Sequence, residues 1–302
     1  MLNNKKFLEH KGPTIDRVGK YRVIDCQRCL FKHVDPIPGE AEITTFYKDK
    51  FYNIKNPNYL KYSKKDLDWW MATYKNYYQI FRKHTRGSKL LDIGSGPGYF
   101  IKCGQGLGWN TLGFEPSGTA YKHSKKLGIN VVNDFFDYEK AKQYGKFDVV
   151  CLNLVLEHLV DPTKILKDVK KILSKKGLLF ILSPNDYNPF QMILKQQLGF
   201  KSWWVVPLEH INYFDFSSIK KLLKKLGFSI IDLLATYPME TFLLSGENYI
   251  GNDKIGRKCH KKRIKFEMNL YKHNPELLNI FYRSLAQNNL GREFVVIAKH
   301  IK

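Results

Sequence analysis

The residues best placed to do chemistry together are three glycines and two carboxylates. Gly94, Gly96 and Gly98 lie in the run Lys89–Phe100, K-L-L-D-I-G-S-G-P-G-Y-F, with Asp92 just ahead of them. Glycine lets a backbone turn sharply and come close to a ligand. Such a loop between a strand and a helix N-terminus is a ready nucleotide-binding site. The next apolar run, Thr111–Phe114, ends in Glu115, 21 positions after Gly94. An acid about 20 residues after a glycine loop is placed to hold ribose hydroxyls, because a carboxylate can accept two hydrogen bonds from a diol. Asp134, with Phe135 beside it, follows the third apolar run, and Asn153 ends the fourth. Acids at strand ends also serve as turn-formers or helix caps, and Asn133 and Asp137 compete for the role of Asp134. His158 and His210 are candidate general bases, since imidazole titrates near neutrality. Either could equally hold a loop. Tyr187, Trp203, Trp204, Tyr213 and Phe214 could line an aromatic pocket, although large aromatics also serve as core.

These residues need a scaffold. From Leu90 short apolar runs alternate with helical stretches, which predicts a parallel sheet with helices on both faces. Strands are expected at 89–93, 111–114, 130–132, 147–152 and 177–183, and helices at 98–108, 117–127, 137–143 and 162–173. Ile219, Leu222, Leu223 and Leu226 mark a helix over Ser217–Leu226 that Gly227 stops. Phe228–Leu234 and Glu293–Lys299 read as strands six and seven. Between them residues 235–292 exceed a hairpin loop, and Lys261–Tyr271 and Pro275–Gln287 look helical. Leu67, Trp70, Met71, Tyr74, Tyr77 and Tyr78 recur at helical spacing, with Asp66 or Ser63 as the expected cap. Residues 1–40 read as an appended segment rather than part of a sheet. The expected organisation is an extension over 1–86 and a main domain over 87–302 with a helical insertion at about 235–292.

The spacing Gly94-x-Gly96-x-Gly98 is tighter than the dinucleotide fingerprint G-x-G-x-x-G. With Leu91-Asp92 in front, the loop resembles motif I of class I S-adenosylmethionine-dependent methyltransferases. Phe147–Asn153, followed by Leu156-Glu157-His158-Leu159-Val160-Asp161-Pro162, looks like the segment after strand four in the small-molecule branch of that superfamily. Gly177–Asn185 looks like its fifth strand. Glu209-His210-Ile211-Asn212-Tyr213-Phe214, leading to Leu226-Gly227-Phe228, is similar to its E-H-x-x-x-F…G-F segment. The resemblance covers roughly residues 20–300. It implies a Rossmann-like, seven-stranded, mostly parallel α/β sheet with one antiparallel strand, and S-adenosylmethionine as cofactor. Asp92 and the glycines would then meet the cofactor's amino-acid end, Glu115 its ribose, Asp134 its adenine amine and Phe135 the ring. His210 would lie in a segment over the substrate pocket.

Cys26-Gln27-Arg28-Cys29 resembles half of a small zinc-binding module that precedes the catalytic domain in some sugar methyltransferases. The second C-x-x-C of those relatives is missing, since residues 1–25 hold no cysteine. Tetrahedral zinc needs four donors. His10 and His33 could complete a set, but the expectation is that Cys26 and Cys29 are remnants and that zinc is not bound.

The chain has 302 residues, 50 Lys and Arg against 28 Asp and Glu, and a net charge of +22. Such charge could attract nucleic acid, an anionic membrane or a phosphorylated substrate, or it could simply solvate helix faces. Its densest cluster is Arg257-Lys258-Cys259-His260-Lys261-Lys262-Arg263. No apolar run approaches the ~18 residues of a membrane span, and the odd count of five cysteines argues against a disulfide framework. A cytoplasmic location is expected. The place after strand four reads Asn153-Leu154-Val155-Leu156 rather than (D/N)-P-P-(Y/F), and Cys151 lacks the preceding proline of cytosine-C5 enzymes. These absences disfavour those nucleic-acid classes, and the resemblance implies methylation of a small molecule. A sugar or glycan precursor is the leading acceptor, and O-methylation is favoured over C-methylation. An RNA methyltransferase and a non-catalytic binding protein of the same fold are the alternatives.

Overall fold

The computed structural model describes residues 10–47 and 64–300. In chain order the N-terminal part holds β1 (Thr14–Val18), β2 (Tyr21–Cys26), β3 (Phe31–Asp35), α1 (Glu40–Thr45) and α2 (Leu67–His84). The main domain follows with β4 (Lys89–Ile93), α3 (Tyr99–Gly106), β5 (Asn110–Phe114), α4 (Gly118–Lys126), β6 (Val131–Val132), α5 (Tyr138–Ala141), β7 (Phe147–Asn153), α6 (Pro162–Ile172) and β8 (Leu173–Pro184). It ends with α7 (Pro189–Gln196), β9 (Asn212–Tyr213), α8 (Phe216–Lys225), β10 (Phe228–Ala235), α9 (Glu240–Leu244), α10 (Asp253–His273), α11 (Pro275–Gln287) and β11 (Glu293–His300).

Seven strands form one sheet in the order β10-β11-β8-β7-β4-β5-β6. β11 runs antiparallel to both its neighbours, and the other pairs from β8 to β6 are parallel. The central strands are apolar on both faces, as a sheet covered on two sides requires. Along β8, Leu179 and Ile181 face one core while Leu178, Phe180 and Leu182 face the other. α6 and α8 cover the first face with Leu166, Val169, Ile172, Ile219, Leu222 and Leu223. The second face is covered from α2, α3 and α11 by Tyr77, Tyr78, Phe81, Phe100, Leu278 and Tyr282. Each fully buried aliphatic or aromatic side chain contributes about 1.5–3 kcal/mol.

Helix ends are set by local chemistry. Asp161 accepts from Lys164 N–H (2.9 Å) at the start of α6, with Pro162 in the first turn. Asp215 and Ser218 form a capping box on α8. Asp66 departs from expectation. It precedes α2 without a side-chain cap bond and instead pairs with His260 (3.4 Å). Ser63, the other expected cap, lies outside the described residues.

The expectation that residues 1–40 stand apart from a sheet is corrected. β1, β2 and β3 form an antiparallel sheet, closed by β9 from the main domain in the order β1-β2-β3-β9. The alternation of Tyr21, Val23 and Val34 supplies one apolar face, which packs on Ile43, Trp204, Ile211 and Tyr213. Apart from Ile43, that partner surface lies about 180 residues away in sequence, so the strands look polar when read alone. We keep 1–86 and 87–302 as a proposed division of the chain, with α9, α10 and α11 in the 235–292 insertion, although β9 crosses it.

β9 is also the link between this small sheet and the loop after β7. Val34 N–H donates to Ile211 O, and Ile211 N–H donates to Glu157 O (both 2.9 Å). Asn212, 2% exposed, donates from Nδ2 to Leu156 O (3.2 Å) and Leu159 O (2.7 Å). Replacing it by alanine removes both bonds and leaves Leu156 O with only the 3.5 Å contact from Leu159 N–H. Asn212→Ala is expected to lower unfolding stability by about 1–3 kcal/mol, read from urea melts. An unchanged midpoint would show that the loop holds its place without β9.

Candidate active site

The glycine loop leaves β4 at Ile93 and enters α3 at Tyr99. Gly94, Gly96 and Gly98 have φ of 71°, 54° and 85°, the left-handed region where a Cβ is strained. A Cβ on Gly94 would stand 2.6 Å from Val155 Cγ2, and one on Gly98 2.4 Å from Ile129 Cδ1. Glu115 ties the loop to the tip of β5. Its Oε2 accepts from Gly96 N–H (2.7 Å) and its Oε1 from Ser117 N–H (2.8 Å). Burial pushes its carboxyl up to about 7, with the two N–H bonds pulling the other way. Asp92 is buried at the end of β4, and its Oδ1 has no hydrogen-bond partner among the described residues. Burial, reinforced by nearby Glu115, holds it well above the ordinary carboxylate range.

A cavity of about 810 Å³ opens over this loop. Asp92, Gly94, Gly96, Glu115, Asp134, Phe135 and Asn153 all line it, so seven of the eight cofactor residues expected from sequence converge there. The eighth, Gly98, sits at the start of α3 and packs on Ile129 and Ser124. An orphaned buried carboxylate oxygen and a loop that excludes side chains fit the ammonium end and the close approach of S-adenosylmethionine. Asp137 is a helix cap, accepting from Glu139 N–H (2.8 Å), and Asn133 Nδ2 donates to Glu115 O (2.8 Å). Of the three competitors after β6, Asp134 and Asp137 line the cavity. Asp134 also accepts from Phe135 N–H (2.8 Å) and pairs with Lys140.

The opposite wall carries the histidines. His158 Nδ1–H donates to Glu209 O, which leaves Nε2 facing Glu157 Oε1 at 3.6 Å. The His158 and His210 rings are 5.2 Å apart, and Tyr47 packs on His158 at 5.3 Å. Burial lowers His158 to about 4 and His210 well below the usual imidazole value, so both are neutral at neutral pH. His210 Nδ1 is buried without a partner among the described residues. Glu157 was not singled out from sequence. It is 1% exposed, accepts from Ser183 Oγ (2.9 Å), and is pushed up to about 8 by burial. An acid in the middle of an otherwise apolar stretch was the available signal.

The expected aromatic pocket is corrected. Trp204, Tyr213 and Phe214 are core residues, and Tyr187 and Trp203 pack against them. Other aromatics take the place, with Tyr47, Trp70, Tyr74 and Tyr99 lining the cavity beside Ile43, Leu159 and Val160. Trp70 and Tyr74, four residues apart on α2, stack at 5.5 Å. Cys151 is a buried thiol in β7, held well above its ordinary value by burial.

A strand–glycine loop–helix start, an acid at the next strand tip, and a sheet with β11 alone reversed define a class I methyltransferase fold. Residues 60–233, more than half of the chain, match a family model described as "Methyltransferase domain". The chain belongs to this family, within the class I S-adenosylmethionine-dependent superfamily. The chain is 32% identical over 109 residues to a ubiquinone biosynthesis O-methyltransferase of Actinobacillus pleuropneumoniae, covering 33% of this chain and 47% of that protein. It is 30% identical over 133 residues to one of Escherichia coli, covering 41% and 50%. The chain thus spans about half the length of the curated relatives it matches. Two solved structures share the fold. One is a SAM-dependent methyltransferase from Archaeoglobus fulgidus (TM-score 0.50, 19% identity, 80% of this chain and 99% of that one). The other is the plantazolicin methyltransferase BamL with a triazolic desmethylPZN analog and SAH (TM-score 0.52, 15% identity, 87% and 97%).

Only an ionised carboxylate accepts with both oxygens from a diol, the role expected of Glu115. Glu115 stands at about 7 in the free chain, so cofactor binding should release a proton below that pH. Affinity for S-adenosylhomocysteine is expected to rise between about pH 6 and 8 and then level off. Calorimetry in buffers of different ionisation enthalpy reads this directly. Glu115→Gln should weaken binding by about tenfold or more and flatten the pH dependence. Native affinity in a folded Glu115→Gln chain would remove Glu115 from the site.

Proposed function

We propose that the chain methylates a hydroxyl oxygen of a small molecule. The carrying observation is that one cavity joins the glycine loop and Glu115 to a neutral imidazole pair on the facing wall. Bound S-adenosylmethionine supplies an electrophilic methyl group. Asp92 and the glycine loop hold its amino-acid end and Glu115 its ribose, so the protein contributes mainly proximity and alignment. His158 Nε2 takes the acceptor's proton as the new O–C bond forms, because its Nδ1–H is already committed to Glu209 O. Glu157, 3.6 Å away and held protonated near neutrality by burial, borders the imidazole as a neutral carboxyl. His210 borders the same acceptor space.

The acceptor has a flat, partly apolar face. Tyr47, Trp70 and Tyr74 offer aromatic surface, which suits a phenolic ring or the apolar face of a sugar. The names of the curated O-methyltransferase relatives support an oxygen acceptor. They give the sugar expectation no support, so a sugar stands as one arm of the test beside phenolic acceptors. The RNA alternative rested on charge, and part of the densest cluster is spent internally. Arg263 is buried and bonds Glu267 (3.2 Å), Lys258 (3.6 Å) and Lys262 (2.7 Å) pair with Glu247, and His260 pairs with Asp66. Among the described residues no helix is long and apolar enough to cross a membrane.

Transfer of labelled methyl groups from S-adenosylmethionine to catechols, phenolic acids, nucleoside-diphosphate sugars and RNA tests the reading. Turnover on a hydroxyl compound supports it. Cofactor binding with turnover on RNA alone would overturn it. With an acceptor in hand, His158→Gln should lower kcat by about 100-fold or more. Because His158 is held near 4, the proton-accepting form persists through the range where free imidazole protonates. At saturating cofactor, kcat is therefore expected to stay level between about pH 7 and 5.5. A fall in kcat centred near the ordinary imidazole value would point to a different, solvent-exposed base.

A further inference from the structure

His10, Cys26, Cys29 and His33 take no part in the cavity just described. His10 precedes β1, Cys26 ends β2, Cys29 closes the turn after it, and His33 lies in β3. One donor atom from each converges, all within 4.8 Å of one another. His10 Nδ1 lies 3.0 Å from His33 Nε2, 3.3 Å from Cys29 Sγ and 3.7 Å from Cys26 Sγ. A tetrahedral zinc with its usual bond lengths would set such edges at about 3.3–3.8 Å. The three edges at His10 need shifts of only a few tenths of an ångström, the two shorter outward, and the widest donor pair, within 4.8 Å, closes by about 1 Å.

The surroundings are prepared for the same role. His33 Nδ1–H donates to Val34 O (2.8 Å), which leaves the Nε2 lone pair aimed at the cluster. Ligating histidines are commonly oriented this way. Cys29 N–H points at Cys26 Sγ (3.5 Å), and Leu30 turns the chain with a φ of 68°. Cys26 and His33 are each 1% exposed, and both cysteines are free thiols. The converging set contains no carboxylate. Two sulfurs and two imidazole nitrogens form a set that suits zinc and not the hard oxygen-seeking cations.

We propose that His10 Nδ1, Cys26 Sγ, Cys29 Sγ and His33 Nε2 bind one zinc ion, closed to substrate, that fastens the N-terminal sheet. Four protein donors leave no open position, which makes the site structural rather than catalytic. Its reach extends to the active site, because His33 is the register partner of Asn212 in β9.

Metal content of the full chain, purified under reducing conditions, tests this. Mass spectrometry of the metal should find one zinc per chain after gel filtration through a weak chelator. Cobalt replacing it should give a thiolate-to-metal charge-transfer band and the intense visible bands of tetrahedral cobalt. Cys29→Ser and His33→Ala should each weaken binding by about tenfold or more. Cys103→Ser, at a distant buried thiol, should not. His10→Cys keeps a donor and should keep the metal with a stronger charge-transfer band, which separates ligand loss from misfolding. A wild-type chain with neither zinc nor a tetrahedral cobalt spectrum would overturn the proposal. So would undiminished zinc in a Cys26→Ser, Cys29→Ser double variant, or a Cys26–Cys29 disulfide in protein prepared without oxygen.

Discussion

The arrangement of this molecule turns on a buried carboxylate held by two backbone N–H groups. Glu115 fastens Gly96 of the first loop and Ser117 of the second at once, so the tips of β4 and β5 are positioned by one side chain. An unpaired carboxylate at that depth would cost several kcal/mol, and the two N–H bonds offset that cost. The left-handed glycines are the complementary constraint, because they bring Gly96 N–H within reach. The floor of the cavity is therefore built before any ligand arrives.

The facing wall is built by a different part of the chain. The loop after β7 is held from behind by β9, and β9 is the last strand of the N-terminal sheet. Glu209 supplies the carbonyl that orients His158, and its neighbour His210 shares the cavity. Two sheets thus meet across one cavity. The larger presents the glycine loop, while the smaller aligns the imidazoles.

What could be read in the sequence follows from range. β4 to β8 and their helices are written in local periodicity, with apolar runs broken by glycine and capped by Asp161 or Asp215, and their expected bounds agree with the structure to within a few residues. Seven of the eight residues expected at the cofactor line one cavity, because fixed spacing along a strand–loop–helix fixes position in space. The N-terminal strands were not legible, because their apolar partner surface, Trp204, Ile211 and Tyr213, lies far along the chain. Glu157 was missed for a related reason, since an acid's burial depends on neighbours that sequence does not place. The aromatic residues went astray because Trp204 and Trp70 look alike in sequence, while only Trp70 reaches the cavity. The helices of the 235–292 stretch were visible, but not that Glu267 would receive Trp69, Arg263 and Tyr282 together and lock them to α2.

The pairing of β3 with β9 has a consequence for how the chain can be divided. A piece beginning at the glycine-loop domain would keep every cofactor residue yet expose the backbone edge of β9 and the apolar faces of Ile211 and Tyr213. Open edges of that kind recruit other chains. The part of the chain that carries the glycine loop is thus not a closed folding unit, since its β9 edge is completed by the strands that precede it.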